Sequence, residues 1–294
     1  MVPQDKYFII FRADSLNMSL VSQVVPSQED ITCFQSFNHD TYVVAGEVIF
    51  IYRRIHIIGT LNFHQQPILG LCKIGNHLVS FDDHTMYIID ITSQSLLHAL
   101  PLIQSSPVSH VMHPATYINK VLVIYANCHI ELWNVIRQKL IYTFQSHLAY
   151  AANLQDKGVI TAMEQSPALD VVALGYSSGL ILLMNLKTDT VLFHFQQELE
   201  VTALTFRTDA VADKFPYLAS SNIEGVICLW NLGDGTEESP RRLQETMEEA
   251  HQGYVSKLVF LHGEPVMVSA AEDNSLKVCD ICVDFLAVQT DGVT

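Results

Sequence analysis

Several short patterns in this chain have the residue types and spacing of reactive sites. Gly175-Tyr176-Ser177-Ser178-Gly179 matches the GxSxG nucleophile elbow letter for letter, a motif in which a strained strand-to-helix turn presents a serine beside an oxyanion hole. The residues that follow, Leu180-Ile181-Leu182-Leu183-Met184-Asn185, read as a strand and not as a helix, so a hairpin turn and an inert Ser177 are expected. Cys279-Asp280-Ile281-Cys282 has the CxxC spacing of zinc and thiol redox sites, but no second pair of ligands lies near it in sequence. His110 and His113 flank Val111-Met112 on a predicted strand, where an odd separation turns them to opposite faces, as a loop and a core histidine rather than a ligand pair. Asn17-Met18-Ser19 spells a glycosylation sequon, which matters only in an exported chain. No catalytic residue, metal site, cofactor or small-molecule substrate is expected from these patterns.

Composition narrows the field further. The 294 residues include 31 Asp or Glu against 16 Lys or Arg, a net charge of −15. That balance disfavours nucleic acid as the main contact, because phosphate binding needs clustered cations. Arg12, Arg53 and Arg54 are the one basic strip worth inspecting. Apolar residues make up 49% and charged ones 16%, against about 25% charged in an average soluble domain, so a large core is expected. The five-residue apolar run between Lys6 and Arg12 is too short for a signal peptide. The longest stretch free of Asp, Glu, Lys and Arg, 91–119, contains Pro101, Pro107 and Pro114 and cannot be a membrane helix. Six dispersed cysteines without an export signal are expected to be reduced thiols. The charged run 233–250 reads as a solvated outer strand with a long loop, and 146–157 as an unusually long connection.

The elements that position these residues follow from a repeat. Seven segments share one pattern, apolar residues, then a bulky one, then a small polar or charged one. Their bulky positions are Phe11, Tyr52, Ile89, Trp133, Met184, Trp230 and Cys279, separated by 41, 37, 44, 51, 46 and 49 residues. A period near 40 to 45 residues with a Trp-Asp-like ending is that of WD-repeat propeller blades. Turn residues precede each anchor strand, at Gly46-Glu47, Asp82-Asp83, Ser178-Gly179, Glu224-Gly225 and Asp273-Asn274, so each unit is strand-turn-strand. Every blade is expected to run inner strand, second, third with the anchor, outer. The polar residues after the anchors, Asp90, Asn134, Asn185, Asn231 and Asp280, are placed to accept hydrogen bonds from backbone donors where the third strand ends.

The first unit supplies only 6–12 and 18–23. The expected fold is therefore all-β, one WD-repeat β-propeller domain over 1–294, of seven-bladed type with six full blades and an incomplete first blade. Its missing inner strands are expected to leave an unpaired edge and a marginally stable chain. In many WD blades a loop His, a second-strand Ser or Thr, a turn Asp and the Trp form a buried polar network. Here only the seventh unit offers most of it, through His251, Ser269 and Asp273, with Cys279 in place of the Trp.

Some stretches go beyond what blade geometry demands: HPATYINKVLVIYANCHIELWNV (113–135), KLIYTF (139–144), DVVALGYSSG (170–179), TALTFRTD (202–209) and FLHGEPVMVSAAEDNSL (260–276). Together they resemble the U3 small nucleolar RNA-associated protein 21 family, also called the WD-repeat protein 36 family. The resemblance implies a non-catalytic tandem-propeller scaffold of the small-subunit processome in the nucleolus, acting in pre-rRNA processing and 18S rRNA maturation. The implied partners are other WD-repeat and helical-repeat proteins of the U3-containing subcomplex, with indirect association to U3 snoRNA and pre-rRNA and no membrane. Family members continue into a second propeller and a C-terminal helical region. The alternative is an unrelated WD-repeat protein-protein adaptor of cytoplasm or nucleus.

Overall fold

The computed structural model describes residues 8–13, 18–24, 29–102, 106–152, 158–167, 170–207, 217–233, 242–261, 266–280 and 287–290. The chain forms two compact units that divide between Phe144 and Gln145.

In the first unit, β1 (Phe8–Ala13) and β2 (Met18–Val24) pair with each other alone. Three antiparallel four-stranded sheets follow. They are β3 (Ile31–Phe37), β4 (Asp40–Ala45), β5 (Val48–Arg53) and β6 (His56–Leu61); β7 (Gly70–Ile74), β8 (His77–Phe81), β9 (Thr85–Asp90) and β10 (Ser95–Pro101); and β11 (Val108–Met112), β12 (Lys120–Tyr125), β13 (Ile130–Asn134) and β14 (Lys139–Phe144).

The second unit opens with α1 (Ser146–Ala151) and has three more such sheets. They are β15 (Ile160–Gln165), β16 (Val171–Tyr176), β17 (Leu180–Asn185) and β18 (Thr190–Gln196); β19 (Val201–Phe206), β20 (Tyr217–Asn222), β21 (Ile227–Asn231) and β22 (Arg242–Met247); and β23 (Val255–Phe260), β24 (Val266–Ala271), β25 (Leu276–Asp280) and β26 (Ala287–Thr290). In all six sheets the strands are neighbours in chain order.

This corrects the expected blade count. The fold is an all-β WD-repeat architecture with six blades, not a seven-bladed type with an incomplete first blade, and the Phe11 unit is a two-stranded ribbon outside the blade set. Two strands cannot present the two broad apolar faces on which blade stacking depends, and a lone hairpin is marginal at best.

Burial grades across each blade. Second strands are nearly continuous apolar runs, such as Val121, Leu122, Val123 and Ile124, all at 0% exposure, because both faces of the sheet are covered. Outer strands are half solvated, as in β22, exposed at every position but Met247. The core lies between sheets. Within the first unit, Ile89 joins a cluster with Val44, Ile51 and Leu61, and Trp133 packs on one containing Leu100 and Val121. Within the second, Trp230 packs with Phe195 and Leu218, and Cys279 with Met267 and Ala250. Within each unit, the anchor of the later blade thus packs into the seam against the blade before it.

Two bulges recur. Opposite the anchor, five outer strands carry one extra residue, Ile58, Leu97, Ile141, Leu192 or Gln244, and the four apolar ones are among the exposed large hydrophobics. The β25/β26 ladder at Cys279 has no such shift. In five inner strands the extra residue is a hydroxyl, Thr32, Ser109, Thr161, Thr202 or Ser256. Its Oγ donates to a backbone carbonyl, for example Ser109 to Ile124 at 3.1 Å and Ser256 to Ala270 at 3.1 Å, satisfying an acceptor that the bulge leaves without its ladder partner. The run apolar-Ser/Thr-any-apolar is a second repeat signal that the anchor pattern alone misses.

The helix α1 occupies the start of the segment where the sequence pattern predicts only a long connection. The backbone N–H groups of Gln145 and Ser146 donate to Asp189 at 3.0 and 3.2 Å, so its start is capped by a carboxylate far away in sequence.

Trp230→Ala is expected to cost about 3–5 kcal/mol, as for a buried Trp truncation, and Trp133→Ala less, since its ring is only partly buried. Urea unfolding followed by circular dichroism measures both; a shift below about 1 kcal/mol for Trp230→Ala would remove it from the seam.

Candidate functional site

The chemically richest places are the polar networks set into the blade seams. In the β7–β10 sheet, His64 lies in the loop before the inner strand, Ser80 on the second strand and Asp82 at the turn. His64 Nε2 meets Ser80 Oγ at 2.7 Å and its Nδ1 meets Asp82 Oδ2 at 3.3 Å. Asp82 Oδ1 accepts from the N–H groups of His84 and Thr85, closing the hairpin. This network was not expected; a His ahead of an inner strand with Ser-Phe-Asp at the next hairpin is the signal that could have found it.

His251, Ser269 and Asp273 come together in the same way in the β23–β26 sheet. Nε2 meets Ser269 Oγ at 2.7 Å and Nδ1 meets Asp273 Oδ2 at 3.0 Å. Asp273 also accepts from the N–H of Gln252 and from Ser275. Burial alone would discourage ionisation of Asp273, but these hydrogen bonds outweigh it and hold its carboxyl below the usual range.

A third version has different residues. In the β19–β22 sheet Trp230 Nε1 donates to Ser220 Oγ at 2.8 Å, and Ser220 donates to Gln197 Oε1 at 2.7 Å. Asn222 takes the turn role, accepting from Glu224 and Val226. In the β11–β14 sheet the buried carboxylate of Glu131 accepts from both Trp133 Nε1 at 2.8 Å and Tyr125 OH at 2.7 Å.

The backbone ties these networks to the preceding blade. Gln197 N and His251 N donate to the carbonyls of Gly179 and Gly225. Both glycines have positive φ, +80° and +91°, and a Cβ on either would collide with the carbonyl of Gln197 or His251, so only glycine fits.

The remaining anchors sit as follows. Tyr52 and Met184 are buried on the third strands β5 and β17, as Ile89, Trp230 and Cys279 are on theirs, and Trp133 is partly buried on β13. Asp90 accepts from Ser93, Asn134 from Arg137, Asn185 from Lys187 and Thr188, and Asn231 from Gly233, each closing the turn after its strand. Phe11 lies on β1; its side chain and that of Asp280 lie outside the described residues, as do Asn17, Cys282 and 234–241.

The reactive patterns are absorbed by the fold. Ser177 lies in the β16–β17 hairpin, where its Oγ accepts from Val159 N at 2.9 Å; no helix follows it. Ser–His–Asp geometry like that of acyl-transfer enzymes occurs at Ser80 and Ser269, but these are 0% and 1% exposed, and at Ser220 the same position accepts an indole N–H. The hydroxyl is part of a seam, not a presented nucleophile. Cys279 is buried, which raises its thiol pKa. His113, just past β11, pairs its Nδ1 with the Lys120 carbonyl at 2.9 Å. Among the described residues no three His, Cys, Asp or Glu are grouped to hold a metal ion, and no helix is long and apolar enough to cross a membrane. The five described cysteines are free thiols. Arg53 is committed to Asp40 through Nε and Nη2 at 2.8 and 3.1 Å.

Burial lowers the pKa of His64 and His251, with their aspartate partners opposing it in part. Unfolding returns both to about 6.5, so below that pH the unfolded chain takes up protons that the folded chain refuses. Stability is therefore complete above pH 6.5 and lost as pH falls from there towards the depressed folded-state values, with a slope of at most about 1.4 kcal/mol per pH unit for each histidine. Gln stands in the corresponding place at 197, so H64Q/H251Q is expected to fold and to flatten stability between pH 7 and 5; an unchanged pH profile by denaturant titration would show that these histidines do not set it.

Comparison with known proteins places the chain. The family described as the WDR36/Utp21 first beta-propeller matches residues 1–281. U3 small nucleolar RNA-associated protein 21 homolog of Schizosaccharomyces pombe is 32% identical over 277 residues, covering 92% of this chain and 28% of that protein. WD repeat-containing protein 36 of Homo sapiens is 32% identical over 277 residues, covering 93% and 29%. The chain spans under a third of the length of these curated relatives. Among solved structures, the computationally designed Ika8 protein aligns with a TM-score of 0.69 at 22% identity, over 95% of this chain and 80% of that one, a likeness of fold alone.

Proposed function

The chain belongs to the WDR36/Utp21 family, and from that premise we propose that it is a non-catalytic WD-repeat scaffold in ribosomal small-subunit assembly. The observation that carries this reading is the match of 1–281 to the family's first propeller, joined to relatives named for association with U3 small nucleolar RNA. On this reading 1–294 works as one propeller domain of a longer scaffold in the nucleolus. It supports 18S rRNA maturation by holding other WD-repeat and helical-repeat proteins, and meets U3 snoRNA and pre-rRNA through them.

Two features of the chain support the protein-binding form of this role. The seam networks use their serines and histidines to join blades and leave no presented nucleophile among the described residues. The net charge of −15 and the commitment of Arg53 to Asp40 leave little to attract a phosphate backbone.

A tagged pull-down of the full-length gene product, with RNA and protein identification, is expected to recover U3 snoRNA and WD-repeat partners; a partner set without U3 would favour an unrelated adaptor. The isolated chain is expected to bind generic RNA only weakly at physiological salt, and nanomolar affinity with a steep salt slope in filter binding would contradict the indirect mode.

A further inference from the structure

In the β23–β26 sheet the anchor position is held by Cys279, and the space that an indole fills one blade earlier is open. The two positions correspond by register. Trp230 pairs with Leu218 and Cys279 with Met267, and in each second strand the network serine, Ser220 or Ser269, comes two residues later. Trp230 stacks on Phe195 of β18, centroids 4.8 Å apart at 25°. Phe195 pairs with Ile181, three residues before the anchor of its own blade, and Met247 pairs with Ile227, three before Trp230. Met247 therefore stands in the later seam where Phe195 stands in the earlier one. Between Met247 and Ala250 on one side and Cys279 and Ser269 on the other lies a cavity of about 280 Å³.

The polar chemistry of the slot is also that of an indole site. Ser220 gives its one hydrogen to Gln197 and accepts the indole N–H of Trp230. His251 Nδ1 faces the Asp273 carboxylate, which can only accept, so in the neutral ring the hydrogen sits on Nδ1 and Nε2 accepts from Ser269; as a hydroxyl with two lone pairs, Ser269 keeps acceptor capacity towards the cavity that it lines. In the β7–β10 blade, which also has histidine in place of an indole, the Tyr87 ring packs against His64, tilted by 42° with centroids 3.8 Å apart. The corresponding residue here, two before the anchor, is Lys277, and among the described residues no ring packs on His251. Glu245, Glu249 and Lys277 line the same cavity, two carboxylates against one ammonium, in a chain of net charge −15.

We propose that this seam is a binding slot for the tryptophan side chain of a partner segment carrying basic residues beside it, the indole N–H donating to Ser269 and the cations facing Glu245 and Glu249. The proposal rests on the cavity and its occupied counterpart, independently of the role in ribosome assembly.

The test is heteronuclear NMR titration of the folded chain with N-acetyltryptophanamide, its 1-methylindole analogue, and the tripeptides Lys-Trp-Lys and Glu-Trp-Glu. N-acetyltryptophanamide is expected to bind with a Kd on the order of 1 mM, the methylated analogue at least five-fold more weakly, and Lys-Trp-Lys several-fold more tightly than Glu-Trp-Glu at low salt. Cys279→Trp is expected to fill the slot, weaken all four probes at least ten-fold and add a blue-shifted tryptophan emission. Should that variant fail to fold, Cys279→Met, the side chain the fold carries at 184, blocks the same space. Absence of saturable binding, equal binding of the methylated analogue, or binding unaffected in a folded Cys279 variant would overturn the proposal.

Discussion

A four-stranded sheet whose second and third strands are apolar on both faces cannot stand alone in water; each face needs another sheet against it. Within each unit that requirement falls on the anchor of the third strand: Ile89, Trp133, Trp230 and Cys279 each pack into the seam against the preceding blade. Tyr52, Ile89, Trp133, Met184, Trp230 and Cys279 differ widely in size and shape, yet they occupy equivalent strand positions. The surrounding packing adjusts instead. Five outer strands insert a bulge opposite the anchor, which turns the outer strand locally and leaves Ile58, Leu97, Ile141 and Leu192 half exposed.

Polar groups inside the seams meet a second constraint, since a buried donor or acceptor without a partner costs more than its bond contributes. The blades satisfy it by trading residues. Where an indole is present, at 133 and 230, the network partners are Glu131 or Ser220 with Gln197. Where histidine is present, at 64 and 251, the anchor is a smaller Ile or Cys. In the first of these Tyr87 covers the imidazole, and in the second a cavity lies beside Ser269. Residues with the lettering of a catalytic triad are thus held in the chemistry of a joint, where desolvation keeps the imidazoles neutral.

This construction bears on the scaffold role proposed above. Where anchor and network together fill a seam, binding is left to the outer strands and connecting loops, which folded blades present without a large ordering cost at each encounter. A net charge of −15, with Arg53 paired to Asp40 inside one blade, suits protein neighbours better than a phosphate backbone.

Much of the local architecture was legible in the sequence. The anchor spacing located the third strands, and the Gly and Asx turns located the hairpins, because strand alternation and positive φ are properties of a few adjacent residues. The family, too, could be read from phrases such as HPATYINK. The blade count was not: the Phe11 segment has the local pattern of a third strand, but whether a ribbon becomes a blade depends on partners for its faces, and β1 and β2 pair only with each other. The His64 network, the cap of α1 by Asp189 and the vacancy beside Cys279 were likewise hidden. Each joins residues 16 to 44 positions apart, or depends on what the neighbouring sheet fails to supply. Sequence by itself determined the strands, turns and repeat; only tertiary stacking decided which side chains share a seam, because that is set by the distance between sheets and not by the order of residues along one strand.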